Sequence, residues 1–557
     1  MKLQYCLVAF IMVAIRLQAQ APPMQWAQPI GNGTGCGIAI DAAGNSYVTG
    51  VFHDSTTIGT VTLKSSRISD FFVAKFNAAG KTLWVKQSSS SRGNMYSSGI
   101  AVDGAGNCYI VGTFNRTVTI EFVSLTAGFI LNDVFLAKYD TYGNLLWAVR
   151  AGGDDDDRGT GVTVDASGNC YIAGSFRNSA TFGNHPPLVV NGGSAAFVAK
   201  YDQTGNCKWA TIAGAAWGDS ESRGVAVDGS GNAYVSGHFG GDVQFGNSHI
   251  VSFKDVVCLA KVDSMGKPVW ASPVKGTLIS DYGVNRISTD AAGNTYFIGM
   301  LDSVSAKEEY QLPNPLENNM VIAKFDANGT CLWAHAAGGT GKIIGKGMQV
   351  DAQGNCLITG IIFEGVAVFG DKHIGDGTTG TQAFYCMYDS SGNCVWAEIV
   401  GCSSFVYSNA VALDTKGQVW LTGDYFMSQD YNRINYFDVY PATAVGGFLA
   451  KFSNEVLEIK DDRPSQSGRA HDYALKQNYP NPFNPSTTIS FSLPSRSFVT
   501  LMIYDVLGRG VASIVSEELQ PGTYSRQWNA AGLPSGIYFC RLRAGGYTEV
   551  KRLLLVR

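Results

Sequence analysis

The sequence predicts an all-β chain, and three observations predict it. Glycine contributes 66 of 557 residues, roughly 12% where about 7% is usual. Charged residues make up 15%, against a usual level of about 25%. Hydrophobic residues still reach 45%, with 64 aromatics and only 17 prolines. That balance suits many short strands joined by tight turns. It excludes a disordered chain, which needs low hydrophobicity and high net charge. The net charge is −4 and no Lys/Arg cluster stands out, so a nucleic-acid partner is not expected. Length alone predicts roughly three or four domains.

Residues 1–21 read as a signal peptide. Lys2 supplies the positive end, and Leu7 to Ile15 form an apolar run too short to span a bilayer. Ala19-Gln20-Ala21 offers small residues to a peptidase. No later stretch has the length of a transmembrane helix, so no transmembrane anchor is expected.

From residue 22 the chain is repetitive. One phrase recurs seven times, as DAAGNSYVTG from Asp41, DGAGNCYIVG from Asp103 and DASGNCYIAG from Asp165. It continues as DGSGNAYVSG from Asp228, DAAGNTYFIG from Asp290, DAQGNCLITG from Asp351 and DTKGQVWLTG from Asp414. The starting Asp residues lie 61 to 63 apart. A second phrase follows each copy, as in VAKFNAAGKTLW from Val73 and LAKYDTYGNLLW from Leu136. The seventh begins as LAKFSNEV at Leu449 and never reaches its Trp.

Each phrase predicts a β-hairpin. The Asp accepts bonds from its own turn, and the Gly takes the left-handed conformation that closes it. Alternating apolar residues flank both turns. The repeat Asp residues are therefore read as turn formers. After its turn, the first phrase is expected to form a short apolar strand that ends in Gly. Two hairpins per repeat make four antiparallel strands, and such units repeated radially form a β-propeller. A linear solenoid is the competing arrangement and fits long connections poorly. Trp26 precedes the first Asp, while the seventh repeat lacks its Trp. The strand around Trp26 is thus expected to complete the seventh unit and join the chain ends. Val456 to Ile459 competes for that place. Residues 24 to about 460 resemble the seven-bladed β-propeller repeat (SBBP-like) family, which implies a fold and no single chemistry. The predicted ring spans 22–460.

A polar linker is expected over 461–472. The segment 473–557 changes character: it holds six prolines between Pro480 and Pro534, with nine Lys/Arg against four Asp/Glu. Residues 22–472 hold 30 against 41. Alternating strands are predicted over 487–493, 498–504, 524–528, 536–543 and 548–556, giving a small Ig-like β-sandwich. Its motifs are Asn478-Tyr479-Pro480-Asn481-Pro482-Phe483-Asn484-Pro485, Tyr504-Asp505-Val506-Leu507-Gly508, Gly536-Ile537-Tyr538 and Lys551-Arg552-Leu553. They resemble the C-terminal sorting domain of type IX secretion cargo. The resemblance implies the type IX export machinery as partner, passage across both membranes, cleavage in or near the linker, and an extracellular or outer-surface location.

No catalytic constellation stands out. His185, His249 and His373 each follow a Phe-Gly step and read as solvent-facing loop residues. The run Asp154, Asp155, Asp156 and Asp157 offers carboxylates to Ca²⁺, although a run of like charges is usually a solvated loop. No other cofactor is expected. Cys170 and Cys207 would begin strands separated by another strand, about 9.6 Å apart, so the repeat cysteines are read as unbridged. Trp217 and Tyr282, in connecting loops, are candidates to stack on a sugar. The leading expectation is a secreted binding or adhesion module for glycans or proteins. The alternatives are a polysaccharide-active enzyme with its site at the central channel, and a structural spacer in a surface layer.

Overall fold

The computed structural model describes residues 21–557, except 66–68, 91–92, 130, 214–219, 278–285, 302–318, 376–379, 401–405, 427–444, 454–472, 477, 479–480, 482, 506–508, 546 and 556–557. Residues 1–20 of the expected signal peptide, Val456 to Ile459, the expected linker over 461–472, Trp217 and Tyr282 therefore fall outside the described residues. Regular structure among those described is entirely β. The chain divides into two compact bodies between Val456 and Leu457.

The first body consists of antiparallel meanders, which we number in chain order from the first repeat Asp. Meander 1 runs Gly33–Ile40, Ser46–Phe52, Asp70–Phe76 and Thr82–Ser89, each strand pairing with the next. Meander 2 repeats this with Met95–Val102, Cys108–Asn115, Asn132–Tyr139 and Leu145–Gly152. The pattern returns in meanders 3 to 6. Among the described residues, meander 7 supplies three strands from its own repeat, Val406–Leu413, Val419–Phe426 and Val445–Phe452. Its fourth is Met24–Pro29, which pairs antiparallel with Val445–Phe452, Ala27 opposite Ala450. The chain's first described strand thus completes its last repeat, as Trp26 led us to expect. First strands touch in chain order, and that of meander 7 also touches that of meander 1.

Why these residues form these strands is visible in the turns. Asp41 Oδ1 accepts from the amides of Ala43 and Asn45, and Gly44 closes the turn at φ 79°. The same bonds recur at Asp103, Asp165, Asp228, Asp290, Asp351 and Asp414.

One expectation needs correction. The Gly of the first phrase does not end a strand: Ser46–Phe52 continues past Gly50, and Cys108–Asn115 past Gly112. This Gly faces a bulge in the first strand, where the register shifts between Gly35 and Gly37. A Cβ on Gly50 would overlap the carbonyl of Thr34, and one on Gly112 that of Tyr96. A second departure is an extra hairpin between the second and third strands. Thr117–Ile120 of meander 2 pairs back to the fourth strand of meander 1. Meander 3 reaches Ala151 of meander 2 through Phe182, and meander 6 reaches Gly338 of meander 5 through Val368.

The second body has a three-stranded sheet and a four-stranded sheet sharing one core. All five predicted strands form, within a few residues of the expected ends. Gly510–Leu519 was not expected. It is an edge strand with Val515 as its buried residue and Glu517 and Glu518 exposed, so its apolar alternation is weak.

Candidate functional site

The repeated side chains build the seams between meanders. In meander 1, Lys75 is buried and its Nζ lies 3.3 Å from Asp41 Oδ2. It also donates to Thr141 of meander 2, 2.6 Å to Oγ1 and 3.2 Å to the carbonyl. Trp84 Nε1 donates to the same carbonyl at 3.1 Å. Tyr47 donates to the Gly106 carbonyl in meander 2's first turn at 2.7 Å, beneath Lys75 at 4.6 Å from the ring. Lys138 and Trp147 grip Gln203 in the same way, and Lys261 and Trp270 grip Ala327. Lys324 and Trp333 grip Ser390. Lys451 of meander 7 grips Ala78 of meander 1, and Trp26 meets Trp420 edge-on at 5.5 Å. Asp41, Asp103 and Asp165 are therefore turn formers and also the anions of pairs with Lys75, Lys138 and Lys200. Burial pushes Asp41 up, but hydrogen bonds from Asn45 and the charge of Lys75 hold it below its ordinary value.

One seam departs from this scheme. Meander 6 has Leu357 and Met387 where meanders 1 to 5 have Tyr and Lys. There Tyr385 donates 2.7 Å to the Pro22 carbonyl, Ser453 N donates to Pro23, and Ala21 is buried beside Leu357 and Trp396. The N-terminal segment fills the seam that lacks the usual side chains.

The bulge has its own consequence. The extra residue stands five before the repeat Asp and reads Cys36, Ser98, Thr160, Arg223, Lys346 and Asn409 in the meanders where the bulge is described. A bulged residue leaves the ladder and re-aims its side chain. Thr160 bonds the Ser222 carbonyl in the next meander, and Asn409 bonds Gly35 O and Asp424 Oδ1. The inner ring of first strands thus carries the positions that vary while their neighbours repeat. Aligning the repeats on their Asp would have exposed this position. Burial pushes the Cys36 thiol up to about 12, with the Asp424 carboxylate adding to it. Burial also raises Asp424, against a hydrogen bond from Asn409 and the charge of Lys346.

The acidic run does not converge. Asp155 takes a bond from Asn178, and Asp156 from Asn132 and Arg158. Asp157 is buried and accepts from the amides of Gly153 and Arg177. Burial pushes it to about 8, and the Asp133 carboxylate adds to this. Asp133 is itself paired with Arg150. Among the described residues no group of three His, Cys, Asp or Glu side chains is placed to hold a metal. His249 and His373 are exposed, while His185 bonds the Cys207 carbonyl. The described cysteines are unbridged, with one strand between Cys170 and Cys207.

In the second body the motif residues stitch the C-terminal strand to the core. Asn481 accepts from Leu554 N and donates to Arg552 O, and buried Phe483 bridges Leu555. The Pro485 carbonyl accepts from Ala530 N, next to exposed Asn484. Tyr504 takes a bond from Arg541, Asp505 pairs with Arg509 at 2.7 Å, and Tyr538 donates to Pro534 O. Gly536 opens the strand that pairs with the last one, and Lys551 pairs with Glu549. Tyr479, Pro480, Pro482 and Gly508 lie outside the described residues.

Residues 477–556 match the model of the secretion system C-terminal sorting domain. Residues 83–113 and 208–238 match the model of a β-propeller repeat. The chain joins β-propeller repeats to a type IX sorting domain. Each matched repeat window takes the fourth strand of one meander and the first two of the next, so it spans a seam. The sorting domain implies the type IX machinery as partner and a location at the cell surface or outside it. Among curated proteins, the chain is 23% identical over 371 residues to an uncharacterized WD repeat-containing protein of Acanthamoeba polyphaga mimivirus, covering 53% of this chain and 26% of that one. It is 30% identical over 115 residues to the regulatory protein FlaEY of Caulobacter vibrioides, covering 20% and 12%. The chain therefore spans only a small part of these relatives. Among solved structures, a gluconolactonase from Xanthomonas campestris is 11% identical with TM-score 0.31, over 78% of this chain and 99% of that one. PorZ, a surface component of the type IX system of Porphyromonas gingivalis, is 11% identical with TM-score 0.15, over 95% and 100%. No helix among the described residues is long and apolar enough to cross a membrane.

Proposed function

We propose that the chain is a seven-bladed β-propeller that binds a glycan or protein outside the cell. Residues 1–21 direct it across the inner membrane, and the sorting domain directs it across the outer one. Cleavage in or near 461–472 then leaves the propeller anchored or released. The supporting observation is the sorting domain behind a scaffold whose repeated Asp, Tyr, Lys and Trp are committed to seams. Recognition then falls to the positions that do not repeat, the loops and the inner ring. A glycan-array and matrix-protein screen of residues 22–460, with and without calcium, tests this. Selective retention of one ligand class supports it. Failure of every ligand by a correctly displayed protein overturns it and favours the spacer. A polysaccharide-active enzyme is the second reading, favoured by Asp424, a carboxyl raised by burial on the second strand of meander 7 and bonded to the inner-ring residue Asn409. Release of reducing ends from acidic polysaccharides is its readout.

A further inference from the structure

Three cationic residues on successive first strands are neighbours on the inner ring, where the Arg286 side chain reaches the backbone of the other two. Arg223 and Lys346 are the bulge residues of blades 4 and 6. Arg286, in blade 5 between them, stands four before its repeat Asp, where the other blades have Gly37, Gly99, Gly161, Gly224, Gly347 and Ala410. That position is tight: a Cβ on Gly347 would lie 3.0 Å from the Ala410 backbone, and one on Gly37 3.2 Å from Ile100. Placing the longest cation there is not a neutral drift of the repeat. The Arg286 guanidinium donates 3.1 Å to the Lys346 carbonyl and reaches towards that of Arg223 at 3.5 Å. It therefore spans the two basic bulges.

Among the described residues, two carboxylates, Glu221 and Asp424, interact with these three cations. Arg223 is matched by Glu221 at 3.0 Å. Asp424 is held by Asn409 at 2.7 Å. Among the described residues, neither Arg286 nor Lys346 forms an ion pair. Burial and the neighbouring charge of Arg286 lower the Lys346 ammonium, with Asp424 partly opposing. Two half-buried cations held together against repulsion need a compensating anion. A guanidinium fork and an ammonium suit planar or tetrahedral oxygens.

We propose that Arg223, Arg286 and Lys346 form an oxyanion-binding site on the inner ring of the propeller, for a ligand bearing a carboxylate or phosphate group. The site is separate from the face loops, so it stands or falls independently of what those loops bind. Neutral groups of the same ring, Thr160 and Asn409, face their own partners and leave the anion to the cations.

Thermal unfolding and calorimetric titration of the full chain at low ionic strength test the site. The probes are D-glucuronate and inorganic phosphate, with glucose and sodium chloride as controls. One or both anions should raise the unfolding temperature, and the preferred one identifies the carboxylate or phosphate source. Lys346→Gln should weaken that ligand at least tenfold and should unfold no earlier than wild type without anion, because a repulsion is removed. Lys86→Gln, which removes a cation paired with Glu121 away from the ring, should leave binding unchanged. Anions no better than the controls would overturn the proposal, as would equal binding by wild type and Lys346→Gln. Loss of glycan binding in the screen above, with this titration intact, would count against the loop reading alone.

Discussion

Replacing Lys75 by Met copies what blade 6 already carries at Met387, and it tests the seam most sharply. The side chain is 4% exposed, so its charge is desolvated. Methionine keeps the stem and removes three polar contacts: Asp41 at 3.3 Å, and Thr141 Oγ1 and O at 2.6 and 3.2 Å. Breaking a buried pair costs about 3–5 kcal/mol when the other ion is stranded. Asp41 is not fully stranded, because Ala43, Asn45 and Tyr47 still donate to it, and Trp84 still satisfies the Thr141 carbonyl. The expected cost is therefore near the low end, about 2–3 kcal/mol. The pH dependence adds a sign. Asp41 sits below its ordinary value when folded, so its stabilisation is present above about pH 4 and lost as pH falls through the folded value. Lys75→Met raises that folded value, so its cost should be largest near neutrality and shrink below about pH 4. Urea unfolding of wild type, Lys75→Met, Asp41→Asn and the double variant measures this, with a coupling of about 1–2 kcal/mol expected. A cost below about 0.5 kcal/mol, as for an exposed pair, or equal costs at about pH 2.5 and pH 7, would refute the reasoning.

Trp26→Ala removes the edge-on partner of Trp420 from the strand that completes blade 7. It should cost about 2–4 kcal/mol by denaturant unfolding, less than a fully buried Trp because Trp26 is half-buried. Asp157 is raised to about 8, so its folded form holds a proton the unfolded chain releases. Its stabilisation is present below about pH 4 and lost as pH rises towards 8. Asp157→Asn should therefore gain on wild type in unfolding temperature as pH rises from 5 to 9. Gly50→Ala drives a methyl into the Thr34 carbonyl opposite the bulge and should lower stability by more than about 3 kcal/mol. Gly104→Ala, with nothing within 4 Å of its Cβ, should be neutral or stabilising by up to about 1 kcal/mol.

Much of the fold was legible because its signals are local. The Asp-to-Gly turns are complete within five residues, and the alternation around them fixes the strands. Trp26 betrayed the shared blade because a residue missing at one end appeared at the other. The seam was harder to read. Lys75 and Tyr47 recur in most repeats, yet their partners Thr141 and Gly106 lie in the next repeat, and no local pattern pairs them. Gly50 looked like a strand end because glycine normally weakens strands; only the bulge opposite explains it. The inner-ring cations were hidden for a related reason. Arg223, Arg286 and Lys346 are some 60 residues apart in sequence, and only the packing of successive first strands makes them neighbours. In the sorting domain, Phe483 and Asn481 were recognisable as motif. Their bonds to Leu554 and Leu555 show why the N-terminal motif and the last strand must occur together.

The central claim is that the C-terminal domain carries this propeller to the outside of the cell. Deleting residues 473–557 leaves the first body with its own core. Surface protease accessibility, measured alongside periplasmic fractionation, then reads where that body stops. The truncated protein should accumulate in the periplasm, folded and shielded from external protease, while the full chain is exposed or released. Truncated protein that reaches the surface as efficiently as the full chain would contradict the account.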